Sequence, residues 1–418
     1  MEITENVDHG RAIAELKELA ELTGGPGGAR RVCWTDEWAK ARRWLREKLD
    51  EIGCEVETDE AGNLWATVRG ASERAVLLGG HIDSVPNGGW LDGCLNTIAA
   101  METLRVLARR DELPVTVRLV DWADEEGARF GRSLLGSSAC SGTLDPDEVR
   151  NLKDKDGIAL PDALREHGVE LEKMNESHRQ LENAAAYLEL HIEQGPVLER
   201  LDIPVGVVLG TFGVERHAIS FTGQHAHSGS TPMDVRKDAF IAAARSAVAF
   251  RDDAARRDDV RATTGFVNVS PGIVTAFNGW CEMSLDQRAL DAGVLSDMLA
   301  VAKENSERIA REEGCEVRWE RLWRIEPRPF DEHLIEMAEE AVREVTGTSH
   351  RLPSGPLHDA AEMAPLMPTV MLFVKSLGGL SHTKEEDTPE EDIALAVQAF
   401  YRLAVKTVGW VAGGGGRR

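Results

Sequence analysis

Four strand-like runs in this sequence each end in side chains that can bind a metal ion. In chain order, these side chains are His81 and Asp92, Glu125 and Glu126, His191, and His382. Helix-like segments separate the runs, which indicates an α/β sheet whose ligand sites lie beyond the carboxyl ends of its strands. A lone histidine at a strand end is more often a hydrogen-bonded structural residue, but four such junctions favour one shared site.

Three imidazoles (His81, His191 and His382) and two carboxylates (Asp92 and Glu126) are enough for two divalent ions if one carboxylate bridges them. Asp92 lies in a glycine-rich loop and can approach both ions. Imidazole and carboxylate ligands suit zinc, manganese, cobalt or nickel, and two such ions support hydrolysis of an amide. Glu125, next to Glu126, is placed to carry a proton from the attacking water to the leaving nitrogen. The alternative for Glu125 is a solvated carboxylate without a role.

The middle of the chain has a different pattern. Strand, helix, strand, strand, helix and strand follow one another between residues 214 and 325, which is the ferredoxin-like order. We therefore expect a catalytic domain in two parts, residues 1–212 and 328–418, with an inserted dimerisation or lid domain at residues 213–327. The last helix is predicted to begin at a capping box, residues 388–391, with Pro389 as its first helical residue.

The charge and the cysteines narrow the class of partner and the compartment. The formal net charge is -24 at pH 7, which argues against nucleic acid or an anionic membrane as a partner, because both need a cationic face. No apolar run is long enough to span a bilayer. The six cysteines are scattered without a C-x-x-C pair, so we interpret them as reduced thiols of a cytoplasmic protein.

The inserted domain offers two groups for a substrate. His227 lies in the loop GQHAHSGSTPM and could stabilise an oxyanion, and Arg288 ends the strand CEMSLDQR and could hold a carboxylate. A loop hydrogen bond for His227 and a salt bridge for Arg288 are the alternatives.

Six segments carry a resemblance that covers nearly the whole chain. They are GGHIDSVPNGGWLDG, DEEGARFGRSLLGS, LELHIEQGPVLE, GQHAHSGSTPMDVRKDA, SGPLHDA and GLSHTKEEDT. In this order they resemble the hydantoinase/carbamoylase-type amidases, which include N-carbamoyl-L-amino acid hydrolases, allantoate amidohydrolases and β-ureidopropionases. The resemblance implies a dimetal exopeptidase-like α/β catalytic domain with an inserted ferredoxin-like (βαββαβ) dimerisation domain.

The resemblance also implies a role for each matching residue. The metal ligands would be His81, Asp92 as the bridge, Glu126, His191 and His382. Glu125 would be the general base and Asp83 would orient His81. His227 would reach the oxyanion from the other subunit of a homodimer, while Gln194 and Arg288 would contact the substrate.

The sequence departs from the family pattern near the expected substrate pocket. Thr275 stands where the family usually has Asn, Asn278 where it tends to have Pro, and Leu357 where SGAGHDA has Gly. We assign these three and His358 to the substrate pocket. Thr275 can still donate a hydrogen bond, though with a shorter reach, and Leu357 adds apolar bulk, so we expect hydrolysis to be kept and the side-chain preference to have moved.

The activity expected is removal of the N-carbamoyl group from an N-carbamoyl-L-amino acid, giving the amino acid, carbon dioxide and ammonia. The same residues could instead act on allantoate, ureidoglycolate, N-carbamoyl-β-alanine or an N-acyl amino acid. A non-catalytic metal- or ligand-binding protein is the third hypothesis, and the complete ligand set with Glu125 speaks against it.

Overall fold

The protein is described by a computed structural model that covers residues 6–110 and 112–417. The chain forms two compact units, of which the first runs to Leu209 and resumes at Phe330, and the second is Gly210–Pro329. Within the described residues, none of the helices has the length and apolar character needed to cross a bilayer. The prediction of six free thiols is confirmed.

The strands in chain order are β1 (Gly24–Gly25), β2 (Gly28–Ala29), β3 (Glu55–Thr58), β4 (Leu64–Val68), β5 (Ser72–Gly80), β6 (Val115–Asp121), β7 (Ala184–Ile192), β8 (Val205–Thr211), β9 (Gly213–Thr222), β10 (Ala226–His227), β11 (Arg261–Thr263), β12 (Val267–Ser270), β13 (Ala276–Phe277), β14 (Trp280–Ala289), β15 (Glu316–Ile325), β16 (Arg328–Pro329), β17 (Arg351–Ser354) and β18 (Thr369–Val374). The α-helices are α1 (His9–Thr23), α2 (Asp36–Ile52), α3 (Cys94–Leu107), α4 (Leu135–Ser141), α5 (Pro146–Val149), α6 (Leu160–Glu166), α7 (Val197–Leu201), α8 (Ala239–Ala254), α9 (Ala292–Glu312), α10 (Glu332–Thr346), α11 (Ala360–Met363) and α12 (Glu390–Ala412). Short 3₁₀ helices span Leu171–Leu181, Met233–Val235 and Leu377–Gly379.

The sheet of the first unit has the strand order β8-β18-β7-β5-β6-β4-β3. Its central strands β18, β7, β5 and β6 are parallel to one another, whereas β8, β4 and β3 pair antiparallel. Strands β7 and β18 are buried along their whole length, as expected for parallel strands covered on both faces. The four parallel strands are the four runs that precede the predicted ligands, so their carboxyl ends meet at one edge.

Helices cover both faces of this sheet. Successive residues of a strand point to opposite faces. Gly80 faces α3, because a Cβ added to it would meet the side chain of Asn96 in that helix. The preceding Gly79 faces the opposite side, where an added Cβ would meet Tyr187 of β7. Helix α3 packs with α1 and α12, and α11 contacts β7 and β18. This layering leaves the carboxyl edge of the sheet for the loops.

The second unit has its own sheet, in the order β11-β14-β9-β15, with every pair antiparallel. Helices α8 and α9 pack on it around buried residues such as Phe221 and Leu285. The predicted elements occur in the predicted order, but the second predicted strand is divided into β11 and β12, both paired with β14, and the short strands β10 and β13 were not predicted.

Local features of the first unit also differ from the sequence-based expectation. Strand β8, antiparallel to β18, was not predicted. The predicted capping box is wrong, because α12 begins at Glu390 with Pro389 as its N-cap and no side chain caps it. The hydroxyl of Thr388 instead donates to the main-chain oxygen of Lys375 at 2.7 Å and ties the preceding loop to the end of β18.

Candidate metal centre

The structure brings three predicted ligands together at the carboxyl edge of the parallel strands. His81 follows β5, His191 lies near the end of β7 and Asp92 lies in the loop before α3. One ligand atom of each lies within 4.8 Å of the others, and all three residues are buried. Oδ1 of Asp92 is 3.2 Å from Nε2 of His191 and 3.7 Å from Nε2 of His81. We call this group the first cluster.

A second cluster consists of Asp92, Glu126 and His382, again with one ligand atom of each within 4.8 Å of the others. Nε2 of His382 lies 3.5 Å from Oδ2 of Asp92 and 3.4 Å from Oε2 of Glu126. The side chain of His382 is half exposed, so solvent reaches this cluster. Asp92 belongs to both clusters and turns a different oxygen to each, which is the geometry of a bridging carboxylate.

The imidazole hydrogen bonds fix which nitrogens are available as ligands. Nδ1 of His81 donates to the main-chain oxygen of Asp83 at 3.1 Å, and Nδ1 of His191 donates to that of Ile192 at 2.9 Å. Since a carbonyl oxygen can only accept, Nδ1 of each ring carries a proton, and in the neutral ring Nε2 turns its lone pair toward Asp92. Nε2 of His81 is buried and has no hydrogen-bond partner within the described chain. A lone pair and a carboxylate repel each other unless a proton or a metal ion lies between them, so these atoms fit a divalent ion.

The carboxylates at this edge are crowded. Burial raises the pKa of Glu125 and the pKa of Glu126 well above the usual value, and neighbouring carboxylates add to the effect. Burial acts in the same direction on Asp92, but the surrounding imidazoles, His191 above all, hold its pKa below the usual value. Added positive charge at the clusters would favour the ionised form of all these groups, and bound cations would supply it.

A tight turn places Glu125 beside the clusters without making it a member of either. Asp124 adopts a left-handed backbone conformation, with φ of 60°, at this turn. The carboxylate of Asp83 accepts the main-chain N–H groups of Glu125 at 3.3 Å and of Glu126 at 3.2 Å. Oε2 of Glu125 lies 3.7 Å from Nε2 of His81 and is only slightly exposed. The two adjacent carboxylates therefore both face the site, although they come from consecutive residues.

Gln194, predicted as a substrate contact, lies against the shared carboxylate. Its Nε2 donates to Oδ2 of Asp92 at 2.8 Å and to Oγ of Ser381 at 2.9 Å, and that hydroxyl donates to the same Oδ2 at 3.0 Å. Gln194 and His382 both have a positive φ, 56° and 58°, a conformation that is uncommon outside glycine and that recurs at functional sites. Sequence analysis assigned no role to Ser381, and its only signal was its position immediately before His382.

Two residues of the SGPLHDA segment lie just before α11. The His358 ring lies with its centroid 4.4 Å from that of His191, and it is fully buried behind that ligand. Burial, with the charge of His191, lowers the pKa of His358 well below the usual value, so its imidazole is neutral. Leu357 is partly exposed. His358 is therefore in a position to support the predicted ligand His191.

In the second unit, three of the predicted substrate residues lie in one corner. His227 in β10 pairs with Ala276 of β13, and Ser228 donates its N–H to the main-chain oxygen of Thr275 at 2.8 Å. Asn278 accepts the N–H of Gly272 through Oδ1 at 3.0 Å, which holds the loop that precedes β14.

A main-chain contact also fixes the tautomer of His227. Its Nδ1 accepts the N–H of Gly229 at 3.1 Å. The neutral ring therefore carries its proton on Nε2, the form that can donate to an oxyanion.

Arg288 lies far from this corner. It is near the carboxyl end of β14, which begins at Trp280, and it pairs with Val214 of β9. An extended strand rises about 3.3 Å per residue, so Trp280 and Arg288 are separated by about 26 Å. Oδ1 of Asp286 accepts Nε of Arg288 at 2.9 Å, and Oδ2 of the same carboxylate accepts Nη2 of Arg216 at 2.6 Å. Asp286 thus orients the guanidinium of Arg288.

Comparison with known proteins identifies the family. The sequence profile of Peptidase family M20/M25/M40 matches residues 77–406. The chain belongs to this family. The match includes the carboxyl ends of all four parallel strands and both clusters, so this M20-family chain is a hydrolase with the mixed α/β fold of its family.

Relatives that match most of the chain include two amidohydrolases. The chain is 35% identical to N-carbamoyl-L-amino acid amidohydrolase of Geobacillus stearothermophilus over 94% of its own length and 96% of the relative. It is 33% identical to allantoate amidohydrolase of Escherichia coli K12 over 94% and 98%. A solved structure of a hydantoinase/carbamoylase family amidase from Burkholderia multivorans has a TM-score of 0.86 and 30% identity, covering 96% of this chain and 98% of that one. The chain is therefore an M20-family amidohydrolase.

Proposed function

We propose that this amidohydrolase removes the N-carbamoyl group from an N-carbamoyl-L-amino acid and releases the free amino acid, carbon dioxide and ammonia. The observation that carries the proposal is the carboxylate of Asp92, which faces one cluster through each oxygen, with Glu125 beside both. The 35% identity to the Geobacillus stearothermophilus N-carbamoyl-L-amino acid amidohydrolase supports the choice of substrate.

The two clusters would hold two divalent ions, zinc, manganese, cobalt or nickel. His81 and His191 would bind one ion and Glu126 and His382 the other, with Asp92 shared between them. When bound, such a pair of ions polarises the substrate carbonyl and lowers the pKa of water. The hydrogen bonds at Nδ1 of His81 and His191 place the proton of the neutral ring on that nitrogen, so that each Nε2 can act as a ligand.

Glu125 would serve as the general base. It takes a proton from the attacking water and passes it to the leaving nitrogen as the carbon–nitrogen bond breaks. Asp83 holds Glu125 and Glu126 by their main-chain N–H groups, so one carboxylate stays free to move protons while its neighbour acts as a ligand.

Arg288 would bind the carboxylate of the substrate through its planar guanidinium, which Asp286 orients. His227 would donate from Nε2 to the developing oxyanion. We further propose that the remaining predicted residues shape the pocket around the substrate and set its side-chain preference. These residues are Gln194, Thr275, Asn278, Leu357 and His358.

The distance along β14 supports a functional homodimer. Arg288 lies about 26 Å from Trp280, near the other end of β14, and His227 pairs with Ala276 in the segment just before β14. We infer that the two groups meet on one small substrate by coming from different protomers.

The surface of the second unit also suits a homodimer. Helix α8 and the edge strand β12 expose Phe240, Ile241, Val248 and Val267, each between 40% and 50%. An apolar surface of this kind is typical of an interface, and a second copy of the chain would cover it.

Mixed dimers test this arrangement. His227→Ala and Glu125→Gln are each expected to be inactive as homodimers. After the two variants are dissociated and reassociated in equal amounts, half of the dimers are mixed and each mixed dimer has one intact site, so about a quarter of wild-type activity is expected. No recovery in dimers shown to have mixed would mean that His227 acts within its own protomer.

Allantoate hydrolysis is the second candidate, because the Escherichia coli allantoate amidohydrolase is nearly as similar, at 33% identity. Ureidoglycolate, N-carbamoyl-β-alanine and N-acyl amino acids remain alternatives for the same site. Thr275 and Leu357 are the residues whose identity we expect to decide among them.

A substrate panel tests the proposal. Metal-stripped protein is reloaded with zinc, manganese, cobalt or nickel and assayed with each N-carbamoyl, allantoate, ureidoglycolate and N-acyl substrate. We expect the highest kcat/KM with an N-carbamoyl-L-amino acid, with one ammonia released per turnover. A higher kcat/KM on allantoate would assign the second candidate, and cleavage of N-acyl substrates alone, without ammonia, would overturn the carbamoyl assignment. Protein that binds its metal and cleaves nothing would favour a non-catalytic role.

A further inference from the structure

A buried carboxylate outside both clusters holds the loop that carries Asp92. Glu386 is 2% exposed, and its Oε1 accepts the main-chain N–H of Leu91 at 3.1 Å and of Asp92 at 3.0 Å. Its Oε2 is buried and has no hydrogen-bond partner in the described chain. Burying a carboxylate with two main-chain donors and no cation beside it costs free energy, so packing alone does not explain its presence here.

The loop is closely fitted around this carboxylate. A Cβ on Gly89 would lie 2.1 Å from Cδ and from Oε1 of Glu386, so a glycine is needed for the loop to wrap around it. Next to it, Nε1 of Trp90 donates to Oδ1 of Asp387 at 3.2 Å. Two consecutive acidic residues of one segment therefore bind the loop that precedes α3.

The segment that supplies Glu386 also carries His382. The main-chain N–H of Glu386 donates to the main-chain oxygen of Thr383 at 3.1 Å. This hydrogen bond closes a turn directly after His382. Thus one carboxylate connects the segment of His382, a member of the second cluster, to the main chain of Asp92, which both clusters share.

We propose that Glu386 is a positioning residue for the metal centre. By accepting the N–H groups of Leu91 and Asp92, it sets the place of the shared carboxylate relative to His382. It acts on the ions only through these residues, because it belongs to neither cluster. The inference rests on the dinuclear centre of the proposed function, but not on the choice of substrate.

Zinc binding to metal-stripped protein tests this role, measured by competition with a chromophoric chelator. Glu386→Ala removes the acceptor and is expected to weaken zinc binding by about ten- to a hundredfold, the usual effect of losing a residue that orients a ligand. Glu386→Gln keeps an oxygen that can accept both N–H groups and is expected to stay close to wild type. Glu385→Gln is the matched control, since this neighbour is exposed.

A purely structural role would give a different result. The melting temperature of metal-free Glu386→Ala would fall while its zinc affinity stayed at the wild-type value, and that outcome overturns the proposal. A loss of zinc affinity in Glu386→Gln equal to the loss in Glu386→Ala would also overturn the proposal. If Glu386→Ala does not fold, Glu386→Asp, whose shorter side chain draws back from both N–H groups, is expected to show the loss, and wild-type affinity in that variant refutes the inference. Glu386-dependent zinc binding in protein that hydrolyses no substrate would leave this inference standing and reject the proposed function.

Discussion

Replacing Glu125 by glutamine is expected to lower kcat by at least about a thousandfold while the metal content of the protein stays at the wild-type level. The glutamine amide has nearly the same shape as the carboxylate but cannot accept a proton from water at neutral pH. Glu125 lies beside both clusters without belonging to either, so its replacement leaves every ligand in place. Steady-state kinetics and metal analysis of the same preparation check both parts.

Glu126→Gln is the informative contrast, because it changes the adjacent residue in the same way. Glu126 belongs to the second cluster, so this variant is expected to lose metal as well as activity. Substantial activity in Glu125→Gln would remove Glu125 as the base. Loss of metal in that variant, to the extent seen for Glu126→Gln, would instead make Glu125 a ligand.

Replacing Asp92 by alanine is expected to have the other large effect, with loss of both ions and of measurable turnover. Asp92 is the only residue common to the two clusters found among the described residues, and each of its oxygens faces a different one. Without it, the first cluster keeps two imidazoles, and the second keeps one imidazole and one carboxylate. Neither remaining pair matches the three or more protein ligands that hold a catalytic ion.

A control separates this loss from a general effect of removing an acidic side chain. Asp156 is an exposed residue, and Asp156→Ala should keep its metal and its activity. Circular dichroism of metal-free Asp92→Ala should match that of the wild type, because the strands and α3 on either side of the loop are held by their own buried residues.

Much of the arrangement around the clusters could be predicted from sequence because the ligands follow strands. Runs of apolar residues marked β5, β6, β7 and β18, and parallel pairing brings their carboxyl ends to one edge. His81, Glu126 and His191 therefore converge once the strands are recognised. The glycine-rich loop around Asp92 indicated that this residue could approach two ions. The prediction of a shared carboxylate agrees with the position of Asp92 in both clusters.

The contacts that sequence analysis missed join segments that are far apart in the chain. The role of Glu386 arises from main-chain N–H groups about 295 positions away, which no local pattern encodes. Gln194, which donates to Asp92, has a positive φ, a conformation that sequence rules assign to glycine, asparagine or aspartate rather than glutamine. For the same kind of reason, Thr388 was predicted to cap α12, whereas its hydroxyl is bound to Lys375.

The most direct test is the number of metal ions per chain, measured by mass spectrometry on desalted wild-type protein and on Asp92→Ala prepared in parallel. Two clusters that share one carboxylate predict two ions in the fully active wild type and fewer than one in the variant. A fully active wild-type protein that carries a single ion, or an Asp92→Ala protein that keeps both, would contradict a dinuclear centre bridged by Asp92.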